Sequence, residues 1–202
     1  MRCCLPLLVL ALATLGRATS VIPPSFPELV QEAEGIYRGR VTDLQARRSA
    51  APDGTVIIKT HVTFAIERTL KGAERRELTL EFLGGTLGDE SLVVTGMPRF
   101  TLGTTEYVFV QRNGIQFCPL VAMGHGRYRT LRDAVAARDY VARDNGTPLT
   151  DLAEVEIPLN ALPAPLRAAR AASSVARALT PSAFEAGIVA ELQHPTLRAR
   201  PN

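Results

Sequence analysis

The chain's 202 residues suffice for one domain of ordinary size with some tail, so a single core is expected. Its 23 Lys and Arg against 20 Asp and Glu give a formal net charge of only +3, which leaves no electrostatic footprint for nucleic acid and argues against such a partner.

Met1 to Ser20 read as a removable secretory signal: Arg2 gives the basic start, Leu5 to Leu15 the apolar run, and Ala18 and Ser20 the small residues before Val21. The run is too short for a hydrocarbon core of ~30 Å, so no stable membrane anchor is expected after cleavage. The implied location is periplasmic or secreted. Loss of Arg2 and Arg17 with the leader takes the net charge from +3 to +1. Cys3 and Cys4 leave as well, and Cys118 remains as the only thiol. Within the apolar stretch Ile115 to Met123 it reads as a buried hydrophobe. One cysteine supports neither a CxxC redox pair nor a thiolate metal site.

A short helix opens at Ser25, with Ser25 and Glu28 as a capping box, Pro27 in the first turn, and Phe26, Leu29, Val30 and Ala33 as the apolar stripe. A strand over Ile36 to Leu44 follows, with Tyr37, Gly39 and Val41 on one face, then a turn over Arg47 to Gly54. Thr55 to Leu70 gives the clearest strand, because Val56, Ile58, Thr60, Val62, Phe64 and Ile66 alternate with polar residues. Leu78, Leu80 and Phe82 alternate in the next, which Gly84-Gly85 interrupts. Leu92 to Thr95, Tyr107 to Arg112, Ile115 to Ala122 and Arg127 to Leu131 complete the run, with Asn113-Gly114 signalling a two-residue hairpin. Many short strands without alternating helices predict a barrel or sandwich.

Composition shifts near Arg132. A helix is expected over Arg132 to Arg143, a loop over Asn145 to Pro165, an Ala- and Arg-rich segment over Leu166 to Leu179, and a last helix from Thr180-Pro181. That helix carries Phe184, Ile188, Val189 and Leu192 on one face, expected to cover its own domain. The division is a signal at 1–20, a β-barrel domain at 21–131, and a helical and loop-rich C-terminal extension at 132–202.

Chemical signals are sparse. His61, His125 and His194 lack the spacing of a zinc helix, so no metal is expected. Gly84, Gly85 and Gly88 resemble a phosphate loop only in glycine content, since no Gly-Lys-Ser/Thr and no helix follow; a strand-connecting loop is the expectation. No nucleophile elbow and no cofactor motif is present. Asn145-Gly146-Thr147 fits a glycosylation sequon. The candidate binding residues are Gly84, Gly85, Gly88, Met97 and Arg99 on the loop from Gly84 to Arg99, and His125, set between Gly124 and Gly126.

Ser25-Phe26 with Leu29 to Ala33, Tyr37 to Val41, Val62 to Arg68 with Leu70-Lys71-Gly72, Gly84, Gly85 and Gly88, Pro98-Arg99-Phe100 with Gly103, and Tyr107-Val108-Phe109 together resemble the netrin-like domains of the oligonucleotide-binding barrel type. These include the tissue inhibitors of metalloproteinases and a group of exported bacterial proteins of unassigned activity. The resemblance covers about Ser25 to Leu131 and implies an OB-like antiparallel barrel, mainly β with flanking helices in an α+β arrangement. The inhibitors chelate a protease zinc through a mature N-terminal cysteine held by disulfides; here Val21 takes that place, so their mechanism does not carry over. The expected function is an exported, non-enzymatic module that binds an extracytoplasmic protein, with a metalloprotease kept open as partner. The alternatives are a hydrolase using His125 with a carboxylate, and a cell-envelope structural protein that exposes the last apolar stripe.

Overall fold

The computed structural model describes residues 21–51 and 53–196; the expected signal at 1–20 lies outside them. Helix α1 (Phe26–Glu32) starts with the expected capping box: Ser25 Oγ accepts the Glu28 N–H, and Glu28 Oε2 accepts the Ser25 N–H at 2.8 Å. Its last carbonyls are met from a distant strand, where Lys71 Nζ donates to Val30 O at 2.9 Å and Gln31 O at 3.0 Å. That places a cation at the negative end of the helix.

Strands β1 (Gly35–Ala50) and β2 (Val56–Lys71) form one long antiparallel hairpin, and β3 (Glu77–Leu83) lies beside β2. The short pair β4 (Gly85–Leu87) and β5 (Glu90–Leu92) is a separate two-stranded ribbon. Strands β6 (Thr105–Val110), β7 (Arg127–Asp133) and β8 (Arg138–Arg143) complete a six-stranded antiparallel sheet of order β3-β2-β1-β6-β7-β8. The turn between β1 and β2 is tighter than expected, since pairing persists to Ala50. Three register shifts bend β1, between Ile36 and Tyr37, Arg38 and Gly39, and Val41 and Asp43. Gly39 allows the bend, because a Cβ there would lie 2.9 Å from Ala65 O. Only Gly35 to Arg40 pair with β6, so the far half of β1 departs with β2, and β3 pairs along the outer side of β2.

Alternation on the strands feeds two apolar clusters on opposite faces of the sheet. Ile36, Tyr107, Phe109, Tyr128 and Val141 face α1 and the final helix α3 (Pro181–Gln193). Tyr37, Val41, Val62, Phe64, Leu80, Phe82 and Val108 face inward on the other side, with Cys118 buried among them as expected. Burial pushes the Cys118 thiol up to about 12. Helix α3 starts at Thr180-Pro181 as expected, with Thr180 Oγ1 accepting the Ala183 N–H, and Phe184 and Ile188 are buried. The last apolar stripe is therefore internal.

Several local expectations fail, among them the strand over Leu92 to Thr95, since β5 already ends at Leu92. Arg132 to Arg143 is no helix but the β7–β8 hairpin: Asp133 Oδ1 accepts the N–H groups of Val135 and Ala136, making a local turn that outcompetes the helical propensity of the alanines. The boundary placed after Leu131 thus falls inside β7, and Val141, Leu149, Val155, Phe184 and Ile188 share one core cluster with Phe26 and Tyr107. Helix α2 (Ala164–Ser174) is the segment that holds closer to the surface.

Ile115 to Ala122 is not a strand, and Asn113-Gly114 closes no two-residue hairpin. Only short contacts join this stretch to β6, with the Gln111 N–H donating to Pro119 O and the Val121 N–H to Phe109 O. Asn113 is engaged elsewhere. Its side-chain amide donates to Thr79 O at 2.8 Å while its Oδ1 accepts the Glu81 N–H at 3.1 Å, both on the outer edge of β3. The Leu83 N–H donates to Phe117 O at 2.8 Å further along the same edge. Among the described residues no strand ladder closes the sheet into a barrel; this loop lies along β3 instead.

Candidate functional site

The bent ribbon, the β4–β5 hairpin and the chain from Val93 to Phe100 enclose a groove of about 360 Å³. Its formation begins at the two glycines ending β3. Gly84 has φ +103° and Gly85 φ +139°, and added Cβ atoms would lie 2.7 Å from Leu92 O and 2.4 Å from Thr60 Oγ1 respectively. Only glycine permits that backbone and that approach. The Gly84 N–H donates to Ile58 O at 2.7 Å, and Thr60 Oγ1 donates to Gly84 O at 2.7 Å, fastening the turn to β2. A strand, β4, follows the glycines, as a connecting loop requires and a phosphate loop does not. Arg48 Nη2 pairs with Glu90 Oε1 at 2.6 Å and tethers the hairpin to β1, at an exposed position where such a pair contributes little to stability.

Leu44, Val62 and Phe82 supply apolar floor, Thr60, Thr86 and Ser91 supply hydroxyls, and Arg99 brings the one titratable side chain of the lining. Phe100 closes one end, edge-to-face with Phe64 at 5.6 Å and tilted against Phe82 at 5.0 Å between ring centroids. Beneath it the Arg127 guanidinium lies 4.4 Å from the Phe100 ring. Arg127 is 4% exposed, and it makes a two-point contact with Glu106, Nη2 to Oε1 at 2.9 Å and Nε to Oε2 at 3.2 Å. Its Nη1 reaches Asp144 Oδ1 at 2.7 Å, and Thr104 Oγ1 donates to Glu106 Oε1 at 2.7 Å. This buried ionic cluster holds the wall of the groove in place.

Gly84, Gly85, Met97 and Arg99 all belong to this lining. Gly88 sits outside it, at the tip of the β4–β5 hairpin with φ +61°. His125 also lies elsewhere, on a 3-10 turn (Met123–Gly126) entered through Ala122 and Met123, both in left-handed backbone. It is 6% exposed, with Nδ1 unpartnered among the described residues. Burial, then the Arg143 charge, lower its pKa to about 4, so the ring is neutral at pH 7. The nearby Asp144 carboxylate is occupied by Arg127.

Phe100, Arg127 and Glu106 were not legible as site residues. Glu106 stands at the head of the strand Tyr107 to Val110, and an acid entering so apolar a run is the one signal of a buried partner. Among the described residues no group of three His, Cys, Asp or Glu converges to hold a metal ion.

No protein-family model matches this chain, and no curated protein matches it either.

Proposed function

We propose that the protein is an exported binding module whose groove along the β4–β5 hairpin receives an extracytoplasmic protein partner. The observation that carries this reading is the groove itself: an apolar floor, backbone and hydroxyl groups on the walls, and Arg99 exposed at the rim. Such a surface suits an extended segment that inserts an apolar side chain and offers a carboxylate to Arg99. The antiparallel plan of the domains resembled in sequence is supported by the six-stranded sheet and the inward cluster around Phe64. Export rests on the leader at residues 1–20.

The test compares capture from the periplasmic and secreted fractions by the native protein and by a Met97→Asp, Arg99→Glu double variant. A protein retained by the first and lost by the second supports the reading. Equal retention by both, or none by either, overturns it. A peptidase assay decides the narrower inhibitory version: stoichiometric inhibition of a zinc metalloprotease supports it, and uninhibited peptidases end it.

A further inference from the structure

A second cavity, of about 100 Å³, opens between the end of β8, the chain over 157–162 and α2, and shares no lining residue with the groove. Its wall carries three guanidiniums, of Arg143, Arg167 and Arg170, against the single carboxylate of Glu154, beside Asn145 and Thr147. Glu154 is fully engaged. Its Oε1 accepts from Thr150 Oγ1 at 2.9 Å and from Arg170 Nη2 at 3.2 Å, and its Oε2 accepts the Thr150 N–H at 2.9 Å.

Arg143 and Arg167 have no ion-pair partner among the described residues. What orients them is neutral: Arg143 Nη2 donates to Val155 O and Ile157 O, and Arg167 Nη1 donates to Leu162 O at 3.0 Å. Arg143 is nevertheless 4% exposed. The carboxylate that acts on Arg143, Glu154, is held by Thr150 and Arg170, so one acid serves three guanidiniums and a bound anion would supply the missing counter-charge. Burial already depresses the Arg143 pKa.

We propose that this cavity is a binding site for phosphate, taken either as the free ion or as the phosphoryl group of a monoester. Three guanidiniums and one carboxylate leave the wall at +2, and a phosphate dianion balances that charge where a carboxylate leaves half of it. The planar fork of each arginine matches phosphoryl oxygens. Size sets the class as well. At ~10 to 15 Å³ for each water-sized sphere, about 100 Å³ takes roughly seven to ten such spheres, room for the five heavy atoms of a phosphate and the first atoms of an ester group.

Titration calorimetry on the full-length protein at pH 7.5 and fixed ionic strength tests this, with inorganic phosphate, glycerol 2-phosphate and acetate as probes. Saturable one-site binding of a phosphate probe, at least tenfold tighter than acetate, is the expected result. Tighter binding of glycerol 2-phosphate assigns the site to monoesters; tighter binding of inorganic phosphate assigns it to the free ion. Arg167→Gln and Arg170→Gln each weaken the better probe at least tenfold, while Arg132→Gln, on the exposed side of β7, leaves it unchanged. Phosphate raises the Tm of the native protein and not that of Arg167→Gln, so a folding defect is distinguishable from a lost ligand. Absence of saturable binding, acetate binding as tightly as phosphate, or native affinity in Arg167→Gln overturns the proposal.

Discussion

Gly85 has no room for a methyl group, because Thr60 Oγ1 would lie 2.4 Å from its Cβ and the backbone has φ +139°. Gly85→Ala is expected to cost about 2 kcal/mol in urea denaturation, through the strained φ and the displaced Thr60 hydroxyl. His125 gives a pH dependence whose sign is fixed by its environment. Its folded pKa, about 4, lies below the ordinary 6.5, so between these values the unfolded chain binds the extra proton. Stability from this residue is complete above pH 6.5 and is lost as the pH falls toward 4. His125→Gln should flatten that fall by about 2 kcal/mol, read from denaturation at pH 7 and pH 4.5. The glycines were legible in the sequence because backbone demands are local. The burial of His125, Arg127 and Arg143 was not, since strands from distant parts of the chain decide which charged side chains lose water.

At the level of elements, α3 depends on one side chain. The Phe184 ring lies 4.9 Å from Tyr128, 5.2 Å from Tyr107 and 6.2 Å from both Phe26 and Phe109, measured between centroids. Next to it Glu185 accepts the Tyr107 hydroxyl at 2.8 Å and pairs with Arg68 at 2.8 Å and Arg38 at 3.4 Å. Phe184→Ala is expected to cost about 3 to 5 kcal/mol by chemical denaturation, the range for an emptied aromatic site. The cap of α1, the start of α3 and the alternation of β2 were read directly, because each is encoded within a few residues. Arg132 to Arg143 misled because its alanines favour a helix in isolation. In the folded chain, pairing of Tyr128 through Asp133 with Arg138 through Arg143 fixes the segment as a hairpin.

For the whole molecule, the core on the α1 and α3 face of the sheet is built from both ends of the chain, Phe26 and Ile36 with Phe184 and Ile188. A fragment covering residues 21–131 lacks β8, α3 and the buried Leu149, Val155, Phe184 and Ile188. It should give no cooperative thermal transition by circular dichroism, and a folded fragment would restore the boundary that the composition shift suggested. The β-rich class was legible from alternation alone, whereas the bend of β1 and the groove it opens depend on register shifts that leave no periodic trace. The loop at Asn113 has a consequence beyond the shape of the sheet. A long outer strand such as β3 offers unpaired amides that a second chain can join, the first step of runaway fibre growth. By occupying the Glu81 N–H and the Thr79 carbonyl with one side chain, Asn113 withholds that template from neighbouring copies.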